Sequence, residues 1–283
     1  MKLSLRHFFT FSFWFELFCF VFSIYLSIGV ALKLALKAIP GPIISQPAKI
    51  AAWQFILAFL VATVILILLL KYVKKPWLLK VLFYLAVLEG LWLFSLAYFD
   101  WPINLFFLGI AILLWVIYNN VFIHDLIIIL AISAIAVIFG FNIAPSTGIL
   151  ILLFLAIYDY WAVYKTTHMV QMFKGLAESK VYFTLVIPQT FRALFKNMKF
   201  VSPQIDFMFL GTGDIALPTI FIVSCLQINL LTSLITALGT LFGFILLYIV
   251  FITQKERQPM PGLPLIVLGT LIGFLASQII TKL

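Results

Sequence analysis

Charged residues are scarce in this chain. Lys, Arg, Asp and Glu make up only 10% of its 283 residues, against 65% hydrophobic ones, and mean hydropathy is +1.23. A soluble domain carries about 25% charged residues, so these figures exclude one and indicate an integral membrane protein. Cysteine is nearly absent: Cys19 and Cys225 both lie in apolar runs, which excludes a disulfide framework. Only three histidines occur, and none forms a His-Glu-x-x-His pattern, so metal-dependent proteolysis has no support. Ser146-Thr147-Gly148 lacks the partner histidine of a serine-nucleophile site. Acidic residues are half as numerous as basic ones, 9 against 18. In a soluble protein that excess would point to nucleic acid. Here it reads as loops facing the cytoplasm, and neither nucleic acid nor any metal or cofactor is expected.

What remains is a set of long apolar runs, continuous rather than alternating, which favours helices over a β-barrel. Nine spans are expected, at about 8–34, 50–71, 77–98, 102–121, 125–142, 147–165, 206–227, 230–252 and 262–281. The first exceeds a signal-peptide core and reads as a membrane helix. Proline and glycine mark most connections, at Pro40-Gly41-Pro42, Pro76, Pro102, Pro145 and Pro259 to Pro264. There is no internal repeat. The expected fold is an all-α polytopic membrane protein with one transmembrane domain, 1–283. It divides into spans one to six (about 1–165), a cytoplasmic loop (166–205) and spans seven to nine (206–283).

Basic residues orient these spans. With a cytoplasmic N-terminus, fourteen of the 18 Lys and Arg fall inside, and only Lys33, Lys37, Lys49 and Lys282 fall outside. The bias supports N-terminus in and C-terminus out. The loop 166–205 is long enough to be functional or structured in its own right. His168 to Leu176 reads as a short helix. Val181 to Ile187, closed by Pro188, carries a strand signal, with an amphipathic interfacial piece as the equal alternative.

Two aspartates stand out. Asp159 lies in Ile157-Tyr158-Asp159-Tyr160-Trp161 on span six, and Asp214 in Gly211-Thr212-Gly213-Asp214 on span seven. A carboxylate at membrane depth costs roughly 2.5–3.5 kcal/mol on insertion scales and is functional by default. Counted along helices, Asp159 lies ~9 Å from the cytoplasmic end of its span and Asp214 ~12 Å from the same side. Two close carboxyl groups share one proton, so one can activate water while the other polarises a peptide carbonyl. Gly211 and Gly213 would let another backbone approach closely. Pro218 cannot pair with the Asp214 carbonyl and weakens the helix there. Before span nine, Gln258-Pro259-Met260-Pro261-Gly262-Leu263-Pro264 cannot be helical, and such backbone is tolerated at depth only beside a cavity or other protein.

Tyr158-Asp159, Gly211-Thr212-Gly213-Asp214 and Pro261-Gly262-Leu263, in that order on spans six, seven and nine, resemble the GxGD intramembrane aspartyl proteases. This is the presenilin and signal-peptide-peptidase family, and the likeness is greatest to its archaeal presenilin homologues. The family's third motif is Pro-Ala-Leu, so Gly262 departs at its middle position. The resemblance implies that Asp159 and Asp214 are the catalytic pair, with no cofactor. It also implies that Pro261, Gly262 and Leu263 shape the site around an unwound substrate, and that Val181 to Ile187 pairs with that substrate as a strand. The charge bias matches the presenilin orientation, whereas Asp214-Ile215 with Pro218 is closer to the signal-peptide-peptidase form. The short loop argues against self-cleavage for maturation.

The reading is an intramembrane aspartyl endopeptidase cutting single-span, type I membrane proteins in the lipid bilayer. It leaves room for a homo-oligomer. The alternative is a proton-coupled transporter or ion channel with intramembrane carboxylates, but matched broken helices and mid-span basic residues are missing. Prepilin peptidases carry lysine two residues after the aspartate, where this chain has Ala216. Glu16 and Glu89 are expected to face the bundle. His168 is expected at the interface, and His124-Asp125 at a helix start.

Overall fold

A computed structural model describes residues 10–37, 50–72, 77–165, 182–201, 207–254 and 260–281. Among these residues nine helices occur: α1 Phe11–Lys37, α2 Ala52–Tyr72, α3 Trp77–Tyr98, α4 Ile103–Tyr118, α5 Val121–Asn142, α6 Pro145–Tyr164, α7 Thr212–Cys225, α8 Leu230–Thr253 and α9 Leu263–Ile280. Six are long and apolar enough to cross a membrane, while α4, α7 and the described part of α2 are shorter. The count and order match the nine expected spans.

Helix α5 is central and packs on α1, α3 and α7. Residues Ile127, Ile128, Ile129 and Ala131 are all buried, so most of its circumference is enclosed, while Phe122 and Phe139 remain exposed. It begins earlier than expected. Asn120 is its N-cap, accepting from the Ile123 N–H at 2.9 Å, so His124 and Asp125 lie within the helix and are buried.

Helices α8 and α9 form the closest seam of the bundle. A side chain on Gly239 would strike the Gly269 carbonyl, and one on Gly273 would lie 2.8 Å from the Gly239 Cα. Two small-x-x-x-small stripes, Gly239/Gly243 and Gly269/Gly273, therefore let the backbones touch. Thr240 and Thr270 hydrogen-bond across the seam at 2.9 Å.

Span seven departs from expectation. Its first residues are not helical: β1 (Thr184–Pro188) pairs antiparallel with β2 (Phe207–Gly211), in register from Thr184 opposite Gly211 to Pro188 opposite Phe207. Met208-Phe209-Leu210 carries neither a helical cap nor a breaker until the glycines, and pairing with β1 overrides its apolar helical reading. The five extended residues span roughly 16 Å, so the helical depth count for Asp214 does not hold. Helix α7, at about 21 Å, is shorter than the ~30 Å hydrocarbon layer, and β2 supplies the rest of the path.

The strand signal before Pro188 is thus realised as β1. The residues after it fold as two short 3-10 turns, Phe191–Phe195 and Met198–Phe200. They are tied to the bundle by Met198 N–H to the Asn119 carbonyl (2.9 Å) and Val121 N–H to the Lys196 carbonyl (3.2 Å). Tyr182 Oη donates to the Val201 carbonyl at 2.6 Å. A small core of Val121, Tyr182, Val186, Met198, Val201 and Phe207 lies beneath. The helix expected from His168 to Leu176 lies outside the described residues.

Candidate active site

Asp159 sits near the C-terminal end of α6, buried at 7% exposure. Its Oδ2 accepts the backbone N–H of Leu263 at 3.2 Å. Leu263 is the first residue of α9, and the opening N–H groups of a helix have no partner within it. Pro264, next in line, has no N–H at all. The start of α9 thus turns a spare donor, and the positive end of its dipole, toward the Asp159 carboxyl.

Asp214 is in the first turn of α7, three residues after the cap residue Gly211. Its carboxyl reaches back to the Gly211 N–H, the arrangement of a capping box. A Cβ on Gly211 would lie 3.0 Å from Asp214 Oδ2, and one on Gly262 would lie 3.0 Å from the same oxygen. Glycine at these two positions makes room for the carboxyl. Gly213 has nothing within 4 Å of where its Cβ would be. This corrects the expectation that Gly211 admits a neighbouring backbone, since Asp214 fills that space, whereas Gly213 borders open space.

Gly262 and Leu263 are consecutive, so the two carboxyl groups lie beside neighbouring residues and no more than about 10 Å apart. Three separate stretches of chain, at Asp159, Asp214 and Pro261-Gly262-Leu263, therefore meet at one place, and Pro261 is buried beside them.

The signal-peptide peptidase, presenilin aspartyl protease family model matches residues 17–283. The chain belongs to that family. It is an intramembrane aspartyl protease and a multi-pass membrane protein. Its fold is that of two solved structures described as a presenilin family intramembrane aspartate protease. The first, in space group C222, has a TM-score of 0.60 and 21% identity, covering 92% of this chain and 94% of that one. The second, in P2, has a TM-score of 0.63 and 21% identity, covering 93% and 96%. No curated protein gives a significant match.

The remaining sequence candidates fall in different places in the protease. Tyr158 has its ring edge-on to Phe59 of α2 at 5.4 Å. Glu16 is buried on α1, as expected, between Phe13 and Phe20, whose rings both contact Phe244. Glu89 contradicts expectation by being exposed. Val87, Gly90, Leu91 and Phe94 form the inward stripe of α3, with Gly90 against Ala131, and Glu89 is left on the outer face.

Strand β1 has β2 on one side and α5 on the other, where Asp125 Oδ1 accepts the Val186 N–H at 2.9 Å. Both its edges are covered, which corrects the expectation that this segment offers itself to a substrate. Asp125 itself was legible in the sequence as a further acid inside an apolar run, a signal that its place beside His124 at a helix start obscured.

Proposed function

We propose that Asp159 and Asp214 are the catalytic pair and that the protease uses them to hydrolyse peptide bonds of single-span membrane proteins. One carboxylate takes a proton from water as the hydroxyl oxygen adds to the scissile carbonyl carbon. The other, protonated, gives its proton to the carbonyl oxygen. The resulting gem-diol collapses as the C–N bond breaks, the amine leaves with a proton from the pair, and the new chain end is a carboxylic acid. Water is the one reactant the chain and its substrate do not supply.

The observation that carries this reading is that Gly262 leaves room for the Asp214 carboxyl, whose Oδ2 lies 3.0 Å from where a Cβ would stand, while the N–H of the next residue, Leu263, donates to Asp159 Oδ2. A site held this way has its two acids set by three helices at once. The open space beside Gly213 lies next to Asp214 in the chain, which suits an extended peptide there. A membrane helix must unwind to expose its peptide bonds, and strand pairing replaces the hydrogen bonds it loses.

The charge bias places the N-terminus and the 166–205 connection in the cytoplasm, so substrates have their N-termini outside. All spans then form one transmembrane domain, with cleavage toward the cytoplasmic side. The test is cleavage of a type I single-span substrate by reconstituted protein, with and without an aspartyl transition-state mimic. Asp159→Asn and Asp214→Asn should each abolish cleavage at unchanged folded yield, and the mimic should block the wild type. Full activity in either variant would overturn the assignment.

A further inference from the structure

Helix α5 carries a buried polar pair that the hydrolysis itself does not use. Asp125 is 1% exposed and His124 5%. Asp125 Oδ1 accepts the Val186 N–H at 2.9 Å, and His124 hydrogen-bonds the backbone of Thr184. Asp125 Oδ2, His124 Nε2 and Thr184 Oγ1 are buried without a hydrogen-bond partner among the described residues. The pair therefore serves poorly as generic core filling: apolar side chains of similar volume would pack there without burying unpaired polar atoms. What an acid adds is direction, because it accepts from one particular N–H.

Strand β1 needs that direction. Leu185, Val186 and Ile187 are each 0% exposed, so both faces of the strand are buried. Register in a sheet is normally set by alternation of buried and exposed side chains, and a strand buried on both faces lacks it. The backbone of β1 alternates instead between two partners. Thr184 and Val186 turn toward α5, and the Phe183 carbonyl turns the other way, accepting from Thr212 Oγ1 at 3.0 Å. Through the ladder, Thr184 stands opposite Gly211, whose N–H meets the Asp214 carboxyl. A chain of direct contacts thus leads from α5 to the second aspartate.

We propose that Asp125, assisted by His124, is a positioning residue of the protease: it holds β1 in register, and the β1–β2 ladder in turn sets Gly211 and the Asp214 carboxyl. The role rests on Asp214 being catalytic. The test compares Asp125→Ala, which removes the acceptor, with Asp125→Asn, which keeps it. Amide hydrogen exchange across residues 182–188 and 207–211 is read beside kcat and KM on a single-span substrate.

Asp125→Ala should exchange faster in both strands and lose about ten- to a hundredfold in kcat, with KM within about threefold. Asp125→Asn should restore both readouts to near wild type. Asp125→Glu, which keeps the acid but lengthens it by one methylene, replaces Asp125→Ala if that variant does not fold, and should lower kcat similarly. Unchanged exchange and kcat in the alanine variant, or an asparagine variant as impaired as alanine, would overturn the proposal. Activity surviving in Asp214→Asn would remove the catalytic assignment instead, and the exchange data would still decide whether the clamp exists.

Discussion

The Leu263 backbone N–H donates to Asp159 Oδ2 at 3.2 Å, joining the first residue of α9 to α6. Helix α9 is itself held against α8 by glycine contacts further along, at Gly269 and Gly273. The separation of the two acids therefore depends on a seam that contains neither of them.

Gly262 should tolerate alanine and little more. The added Cβ would meet only the far end of the Asp214 side chain, at 3.0 Å, and the carboxyl can shift by a few tenths of an ångström. A valine would displace it. Gly262→Ala should keep activity within about tenfold, while Gly262→Val should lose about a hundredfold at similar thermal stability. A fully active valine variant would show that Asp214 does not need this space.

Along the α8–α9 seam, bulk should matter more than hydrogen bonding. Gly269→Leu should destabilise the folded protein by about 1–3 kcal/mol or more through overpacking against the Gly239 and Gly243 backbone. Activity should fall with it, because the α9 start moves. Thr270→Val breaks the 2.9 Å bond to Thr240 and should cost only about 0.6 kcal/mol. Thermal unfolding in one detergent compares the two, and equal losses would contradict the seam as described.

Cleavage requires one acid and one carboxylate at the same moment. The rate should therefore fall on both sides of an optimum pH, and the two limbs belong to the pair rather than to either residue. Asp125→Asn should leave the positions of both limbs unchanged, since its proposed role is as a hydrogen-bond acceptor. A rate that only rises with pH would fit a lone general base and not this pair.

Orientation can be read without any substrate. A reporter fused after Leu283 should be reached by a membrane-impermeant reagent from outside intact cells, and one fused at the N-terminus should not. The reverse pattern would exchange the substrate class for proteins of the opposite orientation.

Much of this protein was legible residue by residue. Continuous apolar runs broken by Pro102, Pro145 and the Pro259 to Pro264 segment gave the helix count, because crossing a bilayer is a property of local composition and length. Asp159 and Asp214 stood out because an acid in such a run has no ordinary reason to be there. Less legible was the direction each helix faces. Exposed Leu238 and Ile157 are chemically like buried Leu155 and Ile222. Lipid is as apolar as the protein interior, so no hydrophobic stripe marks the inward side. Glu89 was misplaced for that reason, and the glycine seam of α8 and α9 went unread.

The sequence by itself determined that the chain crosses the membrane, how often, and which acids it carries there, since partition into lipid is decided segment by segment. Only the tertiary structure decided that Met208 to Leu210 pairs as a strand, that Asp125 grips Val186, and that Gly262 and Leu263 lie beside Asp214 and Asp159. Those contacts join residues far apart along the chain. Their energies depend on which backbones can approach each other, and that is set by the packing of the whole bundle.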